Sequence, residues 1–171
     1  LDFFGGHDIT RKIDRADHWS LAVDTAGSTW VSRAPMPTPL NHLAAAVLNG
    51  IVYSVGGQVG FESDGVMSGA LQAYNPATNS WAVRASLVPT RSHTQSSAFV
   101  LDGRIVIAGG MLNDFSATTD VSAYDPAANT WVKLTMLPGE RRSGVAGALY
   151  DHRWIYSGGT VADGFLASPS T

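Results

Sequence analysis

A chain of 171 residues, 44% hydrophobic and 15% charged, has enough apolar content for one packed domain and too little charge for a disordered one. Its formal charge of −3, with no run of lysine or arginine, gives no electrostatic footprint for nucleic acid or for an anionic membrane surface. No apolar stretch approaches the ~18 residues of a spanning helix, so membrane insertion is not expected; without a cysteine, disulfides, thiolate metal sites and a cysteine nucleophile are excluded within these residues.

The first landmarks along the chain are Gly5-Gly6, Val23-Asp24-Thr25 and Trp30, with strands expected at 19–23 and 30–33. Residues 43–55 then read as two short apolar runs broken at Asn49-Gly50, a dipeptide whose tolerance of positive φ suits a two-residue hairpin. After Gly56-Gly57 come a polar loop, a strand at 69–74, the turn Tyr74-Asn75-Pro76 and a strand at 81–85 that starts on Trp81. The succession repeats: a hairpin at 97–108 turning at Leu101-Asp102-Gly103, then Gly109-Gly110, a strand at 120–124, Tyr124-Asp125-Pro126, and Trp131 opening a strand at 131–134. A third hairpin at 145–157 turns at Asp151-His152-Arg153 and precedes Gly158-Gly159. The tryptophans stand 51 and 50 positions apart and the glycine pairs 51, 53 and 49 apart. Such regularity is the mark of a structural repeat. Because the hairpin strands are apolar at nearly every position, both are expected to be buried on both faces.

Through GG…YNPATNSW and GG…YDPAANTW the chain resembles the kelch-repeat family. The phrases FFGGHD, NHLAAAVLNG and RSHTQSSAFVLDGRIVIAGG are similar to those of secreted, multidomain bacterial kelch proteins. The resemblance implies an all-β fold: a kelch-type β-propeller fragment of four-stranded antiparallel blades, about three blades' worth, like the C-terminal half of a larger propeller. The expected divisions are a partial blade at 1–34, complete blades at 35–86 and 87–138, a partial blade at 139–160 holding its first two strands, and a tail at 161–171. Val23 and Thr25 replace the Tyr and Pro of the other units, so the first blade is expected to be loosened. An open arc leaves blade faces uncovered. The remaining blades of the same propeller, or a second copy, would cover them; an excerpt is the favoured expectation, since 1–6 and 154–159 would compete for one strand position in a ring of two copies.

Antiparallel hairpins place the connector before the first strand beside the loop after the glycine pair. That face collects Asn41, His42, Arg91, His93, Arg141 and Arg142 from connectors, with Gln58, Asn113 and His7-Asp8 from loops. The resemblance implies that such positions form a ligand surface at the mouth of a central channel. Asn, Gln, His and Arg hydrogen-bond sugar hydroxyls or hold the carboxylates of an acidic peptide. The competing reading is structural: the arginines bond loop carbonyls and lock blades together, and His42 and His93 are satisfied between blades. One-repeat spacing of His42 and His93 is no local ligand motif, so no metal is expected. The glycine pairs lack the pattern of a phosphate loop, Tyr74, Trp81, Tyr124 and Trp131 read as core aromatics, and no cofactor is expected.

The leading functional expectation is a non-catalytic module that recognises carbohydrate or protein, within a larger extracellular or cell-surface protein; no catalytic residue is assigned. Two alternatives stand beside it. One is a segment of a kelch-type carbohydrate-active enzyme, such as a sugar epimerase or a copper-radical oxidase, although the tyrosine–cysteine crosslink of the oxidases cannot form without cysteine. The other is a structural spacer.

Overall fold

In the computed structural model, residues 1–10, 12–60, 64–139, 143–161 and 166–167 are described. β1 (Asp2–Phe4), β2 (His18–Ser20) and β3 (Val31–Ser32) form a three-stranded antiparallel sheet. β4 (Ala44–Leu48) and β5 (Ile51–Val55) meet at Asn49 and Gly50, whose φ values of 52° and 75° are the pair a twisted two-residue hairpin needs. Beyond them lie a small hairpin, β6 (Gln58–Val59) with β7 (Val66–Met67), and then β8 (Leu71–Asn75) and β9 (Ser80–Arg84). The second sheet runs in the order β4-β5-β8-β9, antiparallel throughout. β10 (Ala98–Leu101), β11 (Arg104–Ala108), β12 (Val121–Asp125) and β13 (Thr130–Lys133) repeat that order in the third sheet. β14 (Ala146–Tyr150) pairs with β15 (Arg153–Ser157), and a last hairpin joins β16 (Thr160–Val161) to β17 (Leu166–Ala167). Successive four-stranded antiparallel sheets packed face to face make this an arc of a β-propeller.

The core lies between sheets. Ala44, Ala46 and Leu48 of β4 and Tyr53 and Val55 of β5 pack on Ile105, Ile107 and Tyr124 of the third sheet. Between the first and second sheets, Phe4 meets Trp81 edge-on at 5.5 Å and His18 meets Tyr74 at 4.3 Å. Phe99 stacks on Trp154 at 5.4 Å across the next boundary. His18 is fully buried, its Nε2 2.9 Å from an Asp2 carboxylate oxygen and its Nδ1 3.3 Å from the Ala34 carbonyl.

The first two boundaries also carry a polar clamp. Asn79 Oδ1 accepts from the Tyr74 hydroxyl (2.9 Å) and from the Ala34 N–H (3.0 Å), while Trp81 Nε1 donates to the Ala34 carbonyl (2.8 Å). One repeat later Asn129 accepts from Tyr124 (2.7 Å) and Ala85 (3.0 Å), and Trp131 donates to Ala85 (2.7 Å). The glycine pairs work at the other end of the strands. Gly57 has φ 101°, donates to the Arg91 carbonyl at 2.9 Å, and lies so near Asn41 that a Cβ would stand 2.6 Å from its carbonyl oxygen.

Three expectations need correction. β5 and β11 are buried through most of their length, but Ala45 and Val47 of β4 are exposed, because among the described residues the first sheet has no strand opposite that side of β4. β2 and β3 are shorter than the strands expected at 19–23 and 30–33: where the other units carry Tyr and Asn, Val23 and Ser28 build no clamp, and Ser28 Oγ bonds the Ala22 carbonyl instead. Finally, β6–β7 and β16–β17 form within segments read as loop and tail, where short-range antiparallel pairing satisfies the main chain.

Candidate functional site

Main-chain bridges fix the face on which the candidate residues sit. Asn41 pairs with Gln58, Ser92 with Met111 and Ser143 with Thr160, so these three connectors are tied to the loop after a glycine pair, and His7 pairs with Asp14 inside the first such loop. Neighbouring blades are then joined one to the next. The His93 N–H donates to the His42 carbonyl (3.1 Å), and the Gly144 N–H donates to the His93 carbonyl (3.0 Å). These three residues are spaced by 51 and share φ values of 49°, 53° and 61°, the left-handed region that points successive side chains the same way around the arc.

The result is a column of imidazoles. His42 and His93 stack with ring centroids 4.3 Å apart and planes 29° apart, and His7 meets the His42 ring edge-on at 5.5 Å. The column is held from behind. Asn41, fully buried, donates through Nδ2 to Asp14 and to the Gly60 carbonyl (2.9 Å), and its Oδ1 faces His42 Nδ1. Asp14 in turn accepts from the Gly60 N–H (2.8 Å) and lies 3.8 Å from His7 Nε2. Ser92 Oγ lies 2.8 Å from His93 Nδ1 and donates to Met67 Sδ. Burial, followed by the neighbouring His93 and His7 imidazoles, pushes the His42 pKa down to about 4, with Asp14 countering only in part. Burial also lowers that of His93.

The remaining candidates have other positions. Arg91 does not reach this face: its side chain is wholly buried, with Nη1 donating to the Gly109 (3.2 Å) and Asp120 (2.6 Å) carbonyls and Nη2 to Ser122 Oγ (2.5 Å). Its main chain meanwhile holds the preceding blade through Ser68 and Gly57, so it locks two blades. Burial brings its pKa down to about 10, Asp120 opposing. Gln58 lies buried beneath the column and donates to Gly60. Asn113 is exposed on the same face, accepting from the Met67 N–H (2.7 Å) and donating to Thr90 Oγ1 (2.9 Å). Arg141 and Arg142 lie outside the described residues. Asp14 and Ser92 were not picked out from the sequence. Asp14 has no counterpart in the other units, and Ser92 differs from Asn41, which holds the same place.

The repeat now has its geometry, and the family follows from it. A family model described as "Kelch motif" matches residues 93–137. Kelch-like protein terF of Aspergillus terreus is 30% identical over 137 residues, and Kelch-like protein 36 of Rattus norvegicus is 29% identical over 160. The chain belongs to the kelch-repeat family. These alignments cover 76% and 93% of this kelch chain but only 30% and 25% of the two relatives. The structure of YjhT superposes with a TM-score of 0.75 at 18% identity, over 91% of this chain and 57% of the other; it shares the propeller fold. Among the described residues no group of three His, Cys, Asp or Glu could hold a metal ion.

Proposed function

We propose that this kelch arc is a non-catalytic recognition module that binds a partner protein on the face carrying His7, His42 and His93, at the mouth of the propeller channel. One observation carries the reading: the blades spend a repeated, left-handed backbone position on displaying imidazoles in register, backed by the buried Asn41–Asp14 network. Buried polar networks that rigidify an exposed group are what preorganised binding needs. The parent is a larger protein, a reading supported by the fraction of its relatives that the chain spans. The similarity of its phrases to secreted bacterial kelch proteins favours an extracellular or surface location.

Peptide-display libraries and a glycan array, each screened on the wild-type chain and on a His42→Asn/His93→Asn variant, test this. Peptides enriched on the wild type and lost on the variant are expected. Enrichment of glycans alone would support carbohydrate recognition instead, turnover of a sugar would support an enzyme, and no selection on either array would leave a structural spacer.

A further inference from the structure

The chain has six asparagines, and the surroundings of five oppose any reaction of the side-chain amide. Asn41 is fully buried and donates to Asp14 and to the Gly60 carbonyl. Asn79 and Asn129 each accept from a tyrosine hydroxyl and from a main-chain N–H. Asn113 accepts from the Met67 N–H and donates to Thr90. Asn75 accepts from the Ala77 N–H and precedes Pro76, whose nitrogen carries no hydrogen. Asn49 is different. It is exposed at the tip of the β4–β5 hairpin, and among the described residues nothing hydrogen-bonds its side chain. Gly50 follows it, also exposed, with open space where a Cβ would stand. The hairpin closes on the Leu48–Ile51 pair, so the Gly50 N–H takes no part in the ladder.

We propose that Asn49-Gly50 is a site of spontaneous modification by water, at which the asparagine amide is converted to a carboxylate through a cyclic imide. The Gly50 nitrogen, losing its hydrogen to solvent base, attacks Asn49 Cγ. The new N–Cγ bond forms as the Cγ–Nδ2 bond breaks, and the departing nitrogen takes up a proton and leaves as ammonia. Water then adds to one of the two imide carbonyls. Opening at the side-chain carbonyl breaks the new N–Cγ bond and leaves aspartate. Opening at the main-chain carbonyl breaks the original peptide bond and leaves isoaspartate, with one extra carbon in the main chain. Water is the only reagent consumed, and nothing is oxidised or reduced.

The fold distinguishes the two products. Aspartate already stands at this place in the next two hairpins: Asp102 and Asp151 each have φ 48°, against 52° for Asn49, and their tips close on the equivalent pairs Leu101–Arg104 and Tyr150–Arg153. The aspartate product is therefore accommodated and adds one negative charge to the tip. Isoaspartate lengthens the main chain between Leu48 and Ile51, which a two-residue turn of fixed register does not absorb. Asn41 and His42 lie before the other end of β4, so the aspartate product leaves the recognition face as it is.

Incubation of the folded chain at pH 8.5 and 37 °C, followed by peptide mapping with mass spectrometry, tests the site. The segment bearing Asn49 should be lost as its deamidated forms appear, while the other five asparagines remain amides. Unfolding in urea should remove the protection of Asn79, Asn113 and Asn129. An Asn49 still intact when a synthetic peptide of residues 43–55 has converted fully, or another asparagine reacting as fast within the fold, overturns the assignment. Asn49→Asp should match the wild type in Tm and in the amide exchange of β4 and β5, whereas the isoaspartate form, separated by chromatography, should exchange faster in both strands. A lowered Tm for Asn49→Asp, or an isoaspartate form that exchanges like the parent, overturns the distinction between the products.

Discussion

Arg91 and Leu40 occupy equivalent positions one repeat apart, and the difference between them follows from their neighbours. In the second sheet the buried Gln72 accepts from the Thr38 N–H (2.7 Å) and donates to its carbonyl (3.2 Å), leaving Leu40 to fill space. In the third sheet the equivalent of Thr38 is Pro89, which has no N–H to satisfy; Gln gives way to Ser122, and Arg91 supplies the donors. Arg91→Leu should therefore cost about 2–3 kcal/mol from lost hydrogen bonds and packing, measured by urea unfolding, and leave peptide binding at the loop face unchanged. Adding Ser122→Gln should recover part of the loss but not all, since Pro89 offers a carbonyl alone. His42 gives a prediction of opposite chemistry. Its pKa in the fold, about 4, lies below its ordinary 6.5, so the native state resists a proton that the unfolded chain accepts. Its contribution to stability is complete above pH 6.5 and is lost as pH falls toward 4. Thermal unfolding at pH 7.5 and pH 5 should show a smaller acid-induced drop in Tm for His42→Gln than for the wild type.

At the scale of elements, the tyrosine, asparagine and tryptophan of each turn act as one clamp on the end of the preceding blade. Asn129 sits at φ 53°, where alanine is strained, and Asn129→Ala removes the acceptor shared by Tyr124 and Ala85. A loss of about 2–4 kcal/mol is expected from strain plus two orphaned donors. Asn129→Gly, which relieves the strain and keeps the orphans, should lose less. Trp131→Phe, which deletes the bond to Ala85 and retains most of the ring, should cost about 1 kcal/mol by the same unfolding measurement. The turns NPATNS and DPAANT were visible in the sequence, although the asparagine at the far end of each was not singled out. The clamp that this asparagine makes was out of the sequence's reach, because the partner stands 45 positions earlier for Asn79 and 44 for Asn129.

Across the whole molecule, the ends of the arc differ from its middle. Phe3, Trp19 and Val31 of the first sheet and Leu149, Tyr150 and Ile155 of β14–β15 are exposed, whereas β5, β8, β11 and β12 are mostly buried. Amide exchange should therefore be slowest in those four strands and fastest in β1–β3 and β14–β15, as expected for a repeat stack whose terminal units have one neighbour each. Hydrogen-exchange mass spectrometry checks this ordering, and uniform protection would contradict it. The blades were legible from the sequence because Gly, Tyr and Trp recur in register, each required by a strand end or a sheet boundary. The candidate site was legible only as a face. Nothing in an Asn41-His42 or Ser92-His93 dipeptide announces left-handed backbone, so the stacking of two rings 51 residues apart was beyond its reach, whereas a blade-locking Arg91 bonded to carbonyls was one of the two readings the sequence left open. The ladder linking His42, His93 and Gly144 has a consequence of another kind. Because those links run main chain to main chain, the side chains at the three positions carry no share of the scaffold's continuity. They amount to a three-place word, spelled His, His, Gly, in an alphabet limited to residues that tolerate positive φ. Among the described residues no atom lies near the absent Cβ of Gly144, so its place is open to a new letter. A lineage can respell the surface one blade at a time while the propeller underneath stays as it is.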